Sequence, residues 1–151
     1  MGLDFDAVRA GLASAIPFNA HNGLELIEVA PGRGVVVAPD ADHGKNHIGS
    51  QHAAALFGAG EFASGAAFLG AFGEHLAGLI PLAQSAEIAY RKVANGPITA
   101  TATLDADVSE LLAQVEADGR TRFPVAVVLR DGGGDVVAEM TVRWYVKRAA
   151  A

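Results

Sequence analysis

From Gln51 to Ile80 the chain reads QHAAALFGAGEFASGAAFLGAFGEHLAGLI. It holds no proline until Pro81 and is rich in alanine, so it predicts one long helix reaching to about Ile80. That helix is apolar nearly all round, which means a buried helix rather than an amphipathic surface one. A buried helix of this length needs a surface that wraps it. An antiparallel sheet curled around it supplies one, and this requirement limits the folds open to the chain.

One residue breaks the apolar run. Glu61 is its only acid before Glu74. A carboxylate in such a helix costs free energy unless it is paired or hydrogen-bonded. Desolvation raises its pKa toward neutrality, which suits a general base or nucleophile. Asn46, Gly49 and His52 lie upstream at intervals of three, close to the expected helix start.

Bulk properties exclude several classes. At 151 residues the chain is expected to be a single domain over 1–151. The net charge is -6 with no basic stripe, which disfavours nucleic acid. There are no cysteines, so disulfides, thiolate zinc sites and a cysteine nucleophile are excluded. The N-terminal segment has early acids and no basic region or long apolar stretch, so it does not read as a secretory signal, and a cytoplasmic protein is the default expectation. The stretch from Phe62 to Ile80 is long enough for a membrane span. Glu74, His75 and a Gly/Ala-rich composition argue against one.

The remaining segments can be placed in order. Asp4 to Ile16 carries Phe5, Val8, Leu12 and Ile16 at helical spacing, with Asp4 as N-cap and Pro17 near the end. Leu24 to Val29 and Gly34 to Ala38 form a hairpin across a Pro-Gly turn. Pro39 to Ser50 is a polar loop. After the long helix, Ala83 to Val93 reads as a strand, Asn95 to Pro97 as a turn, and Ile98 to Leu104 as a strand with threonines on one face. Asp105 to Ala117 is a helix capped by Asp107. Gly119 to Arg130 and Val136 to Lys147 are strands joined through a glycine-rich turn at Asp131 to Gly134.

The order and the stretch NHIGSQHAAALFGAGE resemble hotdog-fold thioesterases of the phenylacetate-pathway and hydroxybenzoyl-CoA types. Their segment runs N-x-x-G-x-x-H-G-G-x-x-F-x-x-x-D/E. Asn46, Gly49, His52, Phe57 and Glu61 fall in register with it. The resemblance implies an α+β hotdog: a curled antiparallel sheet of about six strands around a central helix, with an N-terminal helix and a short helical insert. It also implies an acyl-CoA thioesterase. Glu61 would then be nucleophile or general base, and the Ala53 amide would face the thioester carbonyl. Asn46 would bind water or orient the acid, and His52 would position the thioester. Gly49 and Phe57 would belong to the substrate site, as would Ser85 on the strand after the helix. Arg91 and Lys92 are candidates for the phosphates of coenzyme A. No cofactor is expected apart from the coenzyme A of the substrate. Family sites sit at a dimer interface, so a homodimer or a dimer of dimers is expected.

Two departures stand out. The glycine pair after the histidine is replaced by Ala53 and Ala54, and the spacing to Ser85 differs. The alanines keep open a non-catalytic acyl-CoA-binding protein. A hydratase or dehydratase on the same fold is a third reading, opposed by the proline-free loop HGKNHIGS. His43, His47 and His52 are spaced compatibly with zinc but have no acid in helical pairing, so no metal site is expected. The small residues Gly58, Gly60, Ser64 and Gly65 leave open either an acyl tunnel or close packing against the sheet.

Overall fold

The computed structural model of the protein describes residues 3–151; Met1 and Gly2, the start of the N-terminal segment, lie outside the described residues. Helix α1 (Phe5–Ala15) starts where its cap predicts, with Asp4 Oδ1 accepting from the amides of Asp6 and Ala7, both at 3.1 Å. Its stripe of Phe5, Val8 and Leu12 packs on the core. Pro17 does more than end this helix. It opens a second short one, α2 (Pro17–His21), in the first-turn position where a missing N–H costs nothing. The hairpin follows as β1 (Glu25–Ala30) and β2 (Arg33–Ala38).

The central helix α3 (Ala53–Phe72) ends a full two turns before the expected Ile80. Gly73 takes φ 54° and its N–H bonds back to Leu69 O, a backbone conformation that only glycine adopts readily. A short 3-10 turn and a second positive-φ glycine, Gly78, redirect the chain into β3 (Leu79–Tyr90). Apolar composition runs unbroken through this boundary, so the sequence hides it. Pro81 then sits inside a strand. It is tolerated because β3 is an edge strand with β6 as its only neighbour.

Strands β4 (Ile98–Thr103), β5 (Arg120–Arg130) and β6 (Val136–Arg148) complete a six-stranded antiparallel sheet in the order β1-β2-β4-β5-β6-β3. The insert α4 (Val108–Asp118), capped by Asp107, buries Leu111 and Val115. The sheet curls around α3, giving the hotdog architecture. Among the described residues α3, with the 3-10 turn behind it, is the one helix long and apolar enough to cross a membrane, and it is mostly buried in the core.

Glycines mark where helix and sheet pack most closely. A Cβ on Gly70 would lie 2.1 Å from the Ala30 carbonyl oxygen, and one on Gly34 would lie 2.3 Å from that of Ala63. A Cβ on Gly60 would meet Met140 Sδ at 2.6 Å. Helix and sheet therefore approach to backbone contact. Ser64 fixes their register: its Oγ accepts from Trp144 Nε1 at 3.0 Å while donating to the Glu61 carbonyl at 2.7 Å.

Gly34→Ala and Gly70→Ala should each destabilise the fold by about 1–3 kcal/mol, because the added methyl meets backbone that cannot rotate away. Gly11→Ala, facing open space on α1, should stabilise by up to about 1 kcal/mol. Urea denaturation of the three variants distinguishes the cases. A uniform response would show that the close approach is not limiting.

Candidate active site

The loop ahead of α3 is built around Asn46. Its Oδ1 accepts from the amides of Ile48 (3.0 Å) and Ser50 (3.1 Å), and its Nδ2 donates to Ser50 Oγ (2.8 Å) and the Gln51 carbonyl (3.3 Å). Gly49 completes the turn at φ 78°. Within one chain, then, the Asn46 side chain is engaged with its own loop. Gln51 is buried and its Nε2 donates to the carbonyls of Pro39 (3.0 Å) and Gly96 (2.8 Å), tying the loop to the sheet.

His52 caps α3. Its Nδ1 accepts from the Ala54 amide at 2.9 Å, and its own amide donates to the Gly44 carbonyl at 2.8 Å. An accepting Nδ1 requires the proton of a neutral ring to sit on Nε2. The cap satisfies the second amide of the helix and leaves the first. Ala53 N–H has no acceptor among the described residues. It lies on the exposed start of a twenty-residue helix, where the dipole favours negative charge. Tyr90 Oη donates to the Ala53 carbonyl at 3.0 Å and holds the end of β3 against this start.

Glu61 lies two turns further along α3, about 12 Å by the helical rise. The helix is not covered all round. Phe57 (38% exposed), Glu61, Gly65 and Leu69 form a stripe at intervals of four that is only partly covered. Glu61 is thus half-buried rather than enclosed. Burial alone pushes its carboxyl above the ordinary carboxylate value of 4.5, with no ion pair or hydrogen bond among the described residues to offset the desolvation.

Glu61 stands where two recesses meet. One is an open groove of about 600 Å³ that runs to the helix start, with His52, Ala53, Phe57 and Tyr90 among its walls. The other is a narrower cleft of about 260 Å³ between α1, α3 and the sheet, with Leu12, Gly65 and Trp144 among its walls. A further recess beside Phe18, Leu24 and His43 does not include Glu61. His43 Nε2 is 3.1 Å from the Asn22 carbonyl, and no cluster of three potential metal-ligating side chains occurs among the described residues.

The structure brings His52, Ala53, Phe57 and Glu61 to one groove. Asn46, Arg91 and Lys92 line an adjoining one that shares Ala53 and Tyr90. Both cations already have carboxylate partners. Arg91 Nε is 3.2 Å from Glu139 and Lys92 Nζ is 3.5 Å from Asp135, each pair exposed. Ser85 is not brought to Glu61 within the chain. A bulge between Ala83 and Ser85 shifts the alternation of β3, and Ser85 lies exposed opposite Arg143. Sequence reasoning misses Tyr90, which is one residue of a generic strand.

The family described as a domain of unknown function, DUF4442, matches residues 6–146. Among solved structures, the chain is similar to PA5026 from Pseudomonas aeruginosa, described as a protein of unknown function and probable thioesterase. That pair shares 30% identity over 98% of each chain with a TM-score of 0.86. It also resembles a mutant of the phenylacetic acid degradation protein PaaI from Thermus thermophilus, at 20% identity over 86% of this chain and 98% of that one, TM-score 0.68. The PaaI protein of the E. coli phenylacetic acid degradation operon gives 18% identity over 96% and 94%, TM-score 0.71. These two support the fold. No curated protein matches the chain by sequence.

The raised pKa of Glu61 has a thermodynamic sign. Between its unfolded and folded pKa values the native state holds the proton more tightly, so stability falls as pH rises through that window. Glu61→Gln removes this slope. The stability of the variant relative to wild type should therefore rise as pH climbs above the ordinary carboxylate value of 4.5. Urea melts across that rise check it, and parallel profiles would contradict it.

Proposed function

Because this chain belongs to the DUF4442 family and to the hotdog-fold thioesterase superfamily, we propose that it hydrolyses acyl-CoA thioesters, with Glu61 activating water. The observation that carries this reading is a half-buried carboxylate, in a groove it shares with the first amide of a long helix, neither having a partner among the described residues.

The chemistry needs few parts. The Glu61 carboxylate takes a proton from water as the oxygen attacks the thioester carbon. The carbonyl oxygen becomes an oxyanion, held by the Ala53 N–H and the positive end of the helix dipole. The C–S bond then breaks, and the thiolate takes a proton to leave as coenzyme A. The Nε2–H of His52 can hold the carbonyl or the pantetheine during this sequence. A carboxylate pKa raised by desolvation makes the ionised Glu61 a stronger base.

One helix separates its Ala53 amide from its Glu61 by about 12 Å. That span favours a site completed by two subunits, Asn46 and Ala53 from one and Glu61 from the other, as the family resemblance implies. The edge strand β3 favours such an assembly. Its residues 82–87 are all exposed, and a long edge with unpaired backbone groups invites pairing with its own copy. Arg91 and Lys92 can exchange their exposed carboxylate partners for phosphates, since exposed ion pairs are weak. A cytoplasmic setting fits this substrate class.

A second reading, a non-catalytic acyl-CoA-binding protein, is favoured by the methyl groups of Ala53 and Ala54 where relatives of this type carry glycines. Assay of an acyl-CoA panel with a thiol reagent separates the two. Wild type should release coenzyme A, and Glu61→Gln should lower turnover by about a hundredfold or more. Near wild-type turnover in the glutamine variant would remove Glu61 from the chemistry. Binding without release would favour the second reading.

Sedimentation at about micromolar concentration should give a dimer or larger, given the open edge. A stable monomer would refute both the edge pairing and the two-subunit site.

A further inference from the structure

Glu61 borders two recesses, and the chemistry proposed above uses only the groove toward the helix start. The other, the cleft of about 260 Å³, follows α3 from Glu61 past Gly65 to Phe68 and Leu69, away from Ala53. No lysine, arginine or histidine borders it. Apart from Glu61 and Asn19, its walls are hydrocarbon, aromatic ring or glycine. Trp144 has one polar side-chain atom, Nε1, and that atom donates to Ser64 Oγ at 3.0 Å. Its ring therefore offers the cleft only carbon. Helix α1, which roofs the cleft through Leu12, has no buried residue, so this wall is lightly held. The recess beside Phe18 is different in kind: His43, Lys45 and Gln51 are among its walls, and it does not reach Glu61.

Gly65 is the second observation. Packing does not demand a glycine there. A Cβ would make ordinary contact, 3.5 Å from Trp144 Cζ2, whereas one on Gly70 would lie 2.1 Å from a backbone oxygen. Glycine inside a helix costs stability relative to alanine. At position 65 that cost leaves the cleft continuous between Glu61 and Leu69.

We propose that this cleft receives the acyl chain of the substrate as a hydrocarbon of about eight to ten carbons, and that Gly65 keeps it open to that length. The inference rests on the thioester reading of the Glu61 site and adds the class of acyl group. From Glu61 to Leu69 the helix rises about 12 Å. An extended chain advances about 1.3 Å per C–C bond, so nine or so bonds fill that span.

A series of straight-chain acyl-CoAs from acetyl to myristoyl tests this. Wild-type kcat/KM should rise by up to about fourfold per methylene to an optimum at about eight to ten carbons, then level or fall. Calorimetric binding to Glu61→Gln should follow the same order. Gly65→Leu should lower the ratio of kcat/KM for decanoyl-CoA over butyryl-CoA by about tenfold or more, because its side chain fills the middle of the cleft. Gly65→Ala should lower that ratio by less, and it decides the matter if the leucine variant does not fold. Gly58→Leu, which narrows the recess beside Phe18, should leave the ratio unchanged. A ratio lost in Gly58→Leu and kept in both Gly65 variants would place the chain beside Phe18 and overturn the inference. Hydrolysis and binding indifferent to chain length would also overturn it and leave the thioesterase standing. Binding graded by length without hydrolysis would uphold the cleft and overturn the thioesterase. Neither hydrolysis nor binding of any member would overturn both.

Discussion

The close approach of α3 to the sheet is the constraint from which the rest of the molecule follows. Glycine at positions 34 and 70 lets helix and strands meet backbone to backbone at distances that any side chain would forbid. The curled sheet then covers one side of the helix completely. Phe68 and Phe72 pack against Phe123 and Trp144 beneath it. A sheet that tightly wrapped cannot also reach the opposite side. The stripe of Phe57, Glu61, Gly65 and Leu69 is left to α1, to α2 and to solvent, and the two recesses beside Glu61 are the space those lighter elements fail to fill. Site and core are consequences of one packing arrangement.

The start of the helix shows how a loop prepares chemistry without itself reacting. Asn46 commits its side chain to local amides and fixes the turn through Gly49. Gln51 anchors that turn to the sheet, and His52 takes up the second amide of the helix. What remains free is the amide of Ala53, presented at a dipole end and braced from the other side by Tyr90. A donor held this way needs no reorganisation when charge develops near it. An alanine carries the same backbone N–H as a glycine, so the loss of the glycine pair alters access more than polarity.

How much of this is legible in the sequence varies with the kind of signal. Turn residues and period-two or period-four patterning locate six strands and three of the four helices, because those patterns answer directly to burial on one face. Glu61 is legible for the same reason, an acid out of place in an apolar period. The end of α3 is not, since Leu79 and Ile80 continue the composition of the helix and only the backbone freedom of Gly73 and Gly78 reveals the break. α2 is missed because a helix of five residues has no period to detect. The complete coverage expected of α3 fails along one stripe, because covering depends on where the sheet ends. Tyr90 carries no local signature; its role comes from what the fold places beside it. Ser85 goes to the far face for a similar reason, a one-residue bulge that no composition announces.

Charge places a last constraint on the proposed chemistry. Glu61 has a raised pKa through desolvation, with no cation nearby to lower it again. An acyl chain entering the apolar cleft removes more water from the carboxylate and raises the cost of ionisation further. The base must therefore remain ionised through contact with the attacking water, which has to be retained as the chain enters. On the proposed reading this favours a ligand that leaves the groove toward His52 wet. The polyanionic end of the substrate faces the same logic from outside. The protein is acidic overall, and Arg91 and Lys92 are already matched by Glu139 and Asp135. On the proposed reading phosphates gain there only by displacing carboxylates, which the exposure of both pairs makes weak competitors.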